Sequence, residues 1–256
     1  MEFVDTHCHI HFEDYDLKVD KVLENAKKAG VTKLVAVGCT VKDSTAGVQL
    51  AEAQEGVYAA VGIHPHHAKE YDGDKVALKE LGMLAASEHT VAIGECGLDY
   101  YYEKSPKETQ KVVFEEQLQI ALDTDLPVSF HVRDAFEDFY PIIDNFPKIR
   151  GVVHSFTSGT KVLDKVLERG LYVGLNGILT FTKDQAQLAM AKAVPAESLL
   201  LETDAPFLTP EPNRDNVCEP KHVVDTARFL AELRSESLEE IASASSRNAT
   251  KLFGLK

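Results

Sequence analysis

The chain has 256 residues, 41 acidic against 27 basic side chains, and a formal charge of -14. That balance excludes a broad basic surface for gripping a polyanion and leaves any nucleic-acid contact local. Hydrophobic residues are 44% of the chain, enough for a sizeable core, yet no apolar run approaches the ~20 residues of a membrane span.

The first apolar run, 3–9, alternates with a period of two, so that Asp5, His7 and His9 share one face and Cys8 takes the other. Two adjacent imidazoles can chelate one metal. Helix-like stretches and strand-like runs then take turns along the chain. Helices are expected over 17–29, 44–54, 74–87, 107–122, 135–145, 159–169 and 183–193. Strands are expected over 33–37, 58–63, 91–94, 128–131, 152–154, 171–175 and 199–202, and two further helices over 220–233 and 238–253.

Eight strands alternating with helices predict an α/β chain of the (β/α)8 TIM-barrel type. The length is close to the roughly 250 residues usual for that fold and predicts one domain over 1–256. A doubly wound open sheet is the alternative, but no Gly-rich phosphate fingerprint follows the first strand. In a barrel the C-terminal strand ends face one mouth, where catalytic groups collect. Metal-capable residues stand at just those ends: His7 and His9, Glu95, His131, His154 and Asp204. One such coincidence means little, whereas recurrence at the ends of many strands points to a common site.

Cys8, Cys39, Cys96 and Cys218 have no paired spacing and read as reduced thiols. With an acidic residue at position 2 and no signal-peptide pattern, a cytoplasmic location is expected. His11, His89 and His222 read as surface residues. No strand end carries an inward lysine for Schiff-base chemistry.

The strings DTHCHIHF, GIHPHH, IGECGLDYYY, FHVRDA, VVHSFTSG, YVGLNG and LLLETDAPFLTP occur in this order. Together they resemble the TatD-like metal-dependent deoxyribonucleases of the amidohydrolase superfamily, over nearly the whole chain. The resemblance implies two divalent ions. His7, His9 and Asp204 would hold one, His131 and His154 the other, and Glu95 would bridge them. Imidazole ligands suit Zn or Mn as the bound metal, with Mg able to support activity. Asp204 would also accept a proton from the attacking water.

His64 and His66, after the third strand, are expected to contact substrate phosphate. Arg133 is expected to pair either with phosphate or with Asp134 or a neighbouring acid, and Arg214 is a similar case. Asp5 is expected either to orient a ligand histidine or to bond to backbone. Glu202 shares the face of Asp204 and is read as a support rather than a ligand. Asp99 and Tyr100 to Tyr102 would line a groove where bases stack, or pack under a loop.

The segment 214–220 departs from the family's basic RGKRNEP string and reads RDNVCEP. Fewer phosphates neutralised predicts weaker binding of long strands, or a preference for short ones. The implied activity is hydrolysis of phosphodiesters in DNA, or RNA, from a single-stranded 3′ end, with no membrane and no obligate protein partner. A small ester, amide or phosphodiester is the alternative substrate, and a metal-free scaffold protein is the third reading.

Overall fold

The computed structural model describes residues 1–256. The eight strands follow one another in the sheet in chain order, and an isolated parallel bridge joins Cys8, at the end of the first strand, to Ala205 beyond the last. This is the expected (β/α)8 arrangement. No helix is long and apolar enough to cross a membrane. The chain divides into two compact units, residues 1–35 with 154–256 and residues 36–153.

The first unit contains β1 (Phe3–Cys8), α1 (Val19–Lys28) and most of β2 (Val31–Val37). Its later part holds α7 (Thr160–Glu168), β7 (Tyr172–Leu175), α8 (Ile178–Phe181), α9 (Gln185–Ala193), β8 (Leu199–Leu201), α10 (Val223–Arg234) and α11 (Leu238–Phe253). β7 and β8 pair in parallel, with Val173 opposite Leu199. Helix α1 has Asp20 in its first turn and Lys27 and Lys28 in its last, matching the helix dipole. Helix α11 starts at a capping box in which Ser237 accepts from the Glu240 amide and Glu240 reaches back. It stops at Gly254, whose φ of 65° an L side chain would resist. The buried amide of Asn248 on α11 donates to the carbonyls of Ala196 and Leu199, satisfying the backbone at the start of β8. Helix α10 begins at Val223, because Pro220–His222 forms a separate 3-10 turn.

The second unit contains α2 (Val41–Ala53), β3 (Val57–Val61), α3 (Ala68–Tyr71), α4 (Lys75–Ala85), β4 (Thr90–Asp99), α5 (Lys107–Thr124), β5 (Val128–Arg133), α6 (Phe136–Asp144) and β6 (Gly151–Val153). Helix α2 starts three residues before the expected position because Thr40 caps it, accepting from the Asp43 amide. Ser44 is thereby left inside the helix, where its hydroxyl is hydrogen-bonded to Gly62. The core includes Phe114, Phe130 and Phe139, each fully buried and packed ring against ring. Two buried glutamines of α5 serve strand ends: Gln117 bonds both the N–H and the C=O of Ile63, and Gln110 does the same for Asp99.

Strand β4 differs most from expectation. It does not end at Gly94 but runs ten residues, to Asp99. Its register with β5 shifts between Ile93 and Cys96, so Glu95 sits at an irregularity within the strand. Gly94 and Gly97 flank it at φ 140° and 142°. A Cβ on Gly97 would lie 2.1 Å from the carbonyl oxygen of His131, so only glycine lets β5 approach there.

Candidate active site

In the first unit, β1 presents His7, and His9 follows one residue past its end on the same face. The two Nε2 atoms are 3.2 Å apart. Asp204 stands beyond β8 in the left-handed region, φ 61°, with its amide donating to the His7 carbonyl. Its Oδ1 is 3.3 Å from His9 Nε2 and 3.7 Å from His7 Nε2. Ligands ~2.0–2.1 Å from a tetrahedral ion lie roughly 3.3 Å from one another, so this triangle fits a divalent cation. Burial alone would raise the Asp204 carboxyl, but the His9 hydrogen bond and the neighbouring imidazoles outweigh it and hold the group below its ordinary value. Asp204 is therefore a carboxylate, as a ligand or proton acceptor must be.

His154 stacks on His7, ring centroids 4.0 Å apart, and its Nδ1 lies 3.5 Å from Glu202 Oε1. Glu202 is completely buried. Its Oε1 accepts from the Ser155 amide at 2.5 Å, while its Oε2 has no hydrogen-bond partner. His7, His154 and Glu202 can together face one cation, so Glu202 joins the donor set more closely than a supporting role required.

Asp5 takes the backbone alternative. It accepts from the amides of His7 and Thr203 and from the Thr203 hydroxyl, tying the end of β1 to the segment that carries Asp204. Burial pushes its carboxyl up to about 8, against the pull of those bonds. His11 is half-buried rather than surface-facing: both its ring nitrogens are covered and have no hydrogen-bond partner, and burial, helped by His9, pushes it down to about 3. His222 is buried as well, its Nδ1 accepting from the Glu219 amide. Arg214 bonds the Thr209 carbonyl and lies over the Phe181 ring, inside its own loop.

In the second unit, Glu95 is the centre. Its Oε1 is 2.7 Å from His131 Nδ1 and 3.5 Å from His64 Nε2, and its Oε2 accepts from the Cys39 thiol at 3.7 Å. The other His131 nitrogen, Nε2, meets Asp99 Oδ2 at 3.0 Å. An imidazole with a carboxylate oxygen at each nitrogen calls for a positive charge at one of them, a proton or a metal ion. Asp99 fixes the proton on Nε2 and aims Nδ1 at the Glu95 side, the carboxylate–histidine–metal arrangement. His64, Glu95 and His131 can together face one cation.

His64 Nδ1, however, accepts from the His66 amide at 3.1 Å. The neutral ring must then carry its proton on Nε2, which makes His64 a donor toward Glu95 or a substrate rather than a ligand. Burial keeps it neutral, pushing it down to about 3. His66 gives its Nε2 to Asp99 at 3.0 Å. Arg133 makes no ion pair with Asp134 or any other carboxylate; its guanidinium lies over the rings of Tyr101 and Tyr102. Asp99, expected to line a groove or pack under a loop with Tyr100 to Tyr102, instead joins the rings of His131 and His66, a role the sequence reading did not assign to it. Glu95, Gly97 and Asp99 alternate along one strand, and that period of two was the available signal. Burial raises the Asp99 carboxyl, but hydrogen bonds from His131, His66 and the Tyr102 amide hold it well below the usual carboxylate range.

A (β/α)8 chain with histidine and carboxylate donors at its C-terminal strand ends has the make-up of a metal-dependent hydrolase. The comparisons agree. Residues 4–254 match the model of the family described as TatD related DNase. The chain is 38% identical to an uncharacterized metal-dependent hydrolase, YabD, of Bacillus subtilis, covering 97% of this chain and 98% of that protein. It is 37% identical to the 3′-5′ ssDNA/RNA exonuclease TatD of Pantoea ananatis, covering 92% and 93%. The crystal structure of YjjV, a TatD homologue of Escherichia coli, superposes with a TM-score of 0.92 at 29% identity, over 99% of this chain and 98% of that one.

The chain belongs to the TatD family. It is accordingly a metal-dependent hydrolase.

Proposed function

We propose that this protein hydrolyses phosphodiester bonds in single-stranded DNA or RNA, working from the 3′ end. The observation that carries the reading is the pair of donor clusters, one built on His7, His9 and Asp204 and the other on Glu95 and His131. His154 would add a further imidazole ligand. The whole chain, 1–256, would act as one catalytic domain, in keeping with a family match through residues 4–254.

Two divalent cations held by these clusters, Zn or Mn with Mg able to substitute, would lower the pKa of a water and stabilise the leaving oxygen. The chain's own residues do the rest. Asp204, kept ionised, takes the proton of the attacking water. His64 Nε2–H donates to a phosphate oxygen. Arg133, free of any carboxylate, pairs with a neighbouring phosphate, and His66 supports the same contact through the nitrogen that Asp99 leaves open. Four free cysteines, three of them buried, fit a reducing, cytoplasmic setting.

A small ester, amide or phosphodiester is the second reading. It is favoured by the charge of -14 and by Arg214, which spends its guanidinium on the Thr209 carbonyl.

The test is digestion of 5′-labelled single-stranded DNA by chelator-stripped protein with Mg, Mn or Zn restored. The reading predicts a metal-dependent ladder shortening from the 3′ end. Cleavage of 4-nitrophenyl esters with no oligonucleotide cleavage under any ion would transfer the assignment to the second reading.

A further inference from the structure

The segment after β4 carries a group of side chains that the metal chemistry does not use. Tyr101 and Tyr102 are 58% and 53% exposed, among the most exposed large hydrophobic side chains of the protein. Their rings stand perpendicular, centroids 4.8 Å apart. Arg133 fills the corner between them, its guanidinium carbon 4.0 Å from the Tyr101 centroid and 4.8 Å from that of Tyr102. Lys104 lies over Tyr102, and the His66 ring meets that tyrosine edge-on. Tyr101 is the more exposed of the two, and Arg133 is the one cation over its ring.

These rings are not packed under a loop, and they are not loosely placed. Asp99 Oδ1 accepts from the amides of both Tyr101 and Tyr102, while its Oδ2 holds His131 and His66. Asp99 and Arg133 are register partners on β4 and β5, and the Tyr100 amide donates to the Arg133 carbonyl. One buried carboxylate thus ties the backbone that carries the exposed rings to a candidate metal ligand. A small ester would have no use for such a platform. A single strand would: exposed aromatic faces bind unpaired bases whatever their identity, and a guanidinium held flat on a ring still offers its N–H edge to phosphate.

Resting on the phosphodiester reading above, we propose that Tyr101, Tyr102 and Arg133 form a base-stacking subsite for single-stranded nucleic acid. A nucleobase next to the reacting bond stacks on the exposed ring of Tyr101, on the face away from Arg133, and Arg133 takes the adjoining phosphate. A base held in a duplex cannot reach that face without unpairing, so the subsite selects for single strands. It also makes recognition local, as an acidic chain requires.

The experiment compares cleavage of a 5′-labelled oligothymidylate with cleavage of an equally long chain whose last three 3′ residues are abasic. The proteins are metal-loaded wild type, Tyr101→Ala and Tyr101→Phe. Wild type is expected to prefer the base-bearing chain in kcat/KM by about tenfold, mostly through KM, the size of one base–aromatic stack. Tyr101→Phe should keep that preference, and Tyr101→Ala should lose it. A wild type that cleaves both chains equally, or a Tyr101→Ala variant that keeps the full preference, overturns the subsite while leaving the hydrolytic reading intact. A wild type that cleaves neither chain with any ion overturns that reading, and the subsite's role falls with it.

Discussion

Asp99→Asn isolates the part of the second cluster that depends on a proton's position. Asp99 Oδ2 accepts from His131 and His66, both at 3.0 Å, and Oδ1 accepts from the amides of Tyr101 and Tyr102. Asparagine has the same shape and can keep the two amide bonds with its oxygen. Its –NH2 then faces two Nε2–H groups, donor against donors. His131 can restore its bond only by moving its proton to Nδ1, the atom that lies 2.7 Å from Glu95 Oε1. That proton removes the lone pair a cation needs. Loss of such an outer partner costs 10- to 100-fold in metal affinity, about 1.4–2.7 kcal/mol. The backbone frame is retained, so the fold should survive. The assay is calorimetric titration of chelator-stripped protein with Mn, run beside Glu108→Gln, an exposed carboxylate outside the cluster. Asp99→Asn should bind its weaker Mn equivalent at least tenfold less tightly than Glu108→Gln does. Equal affinities, with far-UV circular dichroism unchanged, would refute the argument that Asp99 sets the His131 tautomer.

Three further outcomes follow from packing and charge. Gly174→Ala would place a Cβ 2.1 Å from Glu202 Oε2; displacing that buried carboxylate should cost roughly 1–3 kcal/mol in urea unfolding, and an unchanged midpoint would argue against the crowding. Phe139→Ala removes the ring that packs on both Phe114 and Phe130 and should cost about 3–5 kcal/mol; a loss below about 1 kcal/mol would mean the cluster collapses freely. Burial, with help from Lys221, lowers the His222 pKa below that of the unfolded chain, about 6.5. The unfolded state therefore binds the proton first, and stability falls as pH drops below ~6.5. His222→Gln should show a smaller loss of urea midpoint between pH 7.5 and 5.5 than wild type, and an equal loss would contradict the sign.

Much of this was legible in the sequence because the relevant periods are local. The alternation over 3–9 places His7 and His9 together, and their Nε2 atoms meet at 3.2 Å. The rhythm of strands and helices gives the order of the sheet. Glu95 was placed one residue past a strand end, whereas β4 continues to Asp99. Glycine inside an apolar run reads as a terminator, but here Gly94 and Gly97 let the strand pass close to β5. The link between Asp99 and His131 spans 32 residues and depends on a shifted register, which no single-chain period encodes. Arg133 was left between phosphate and Asp134 because adjacent opposite charges look like a pair. The left-handed turn at Asp134, φ 53°, accompanies an arginine that lies on Tyr101 instead. His11 and His222 were misjudged because a lone polar residue gives no periodic sign of burial.

If each unit's cluster holds a divalent cation, elemental analysis after Zn loading and exhaustive dialysis will count both. Wild type should retain two equivalents per chain, and His9→Ala and His131→Ala one each. Wild type that retains one or none, or variants that match wild type, would contradict the account.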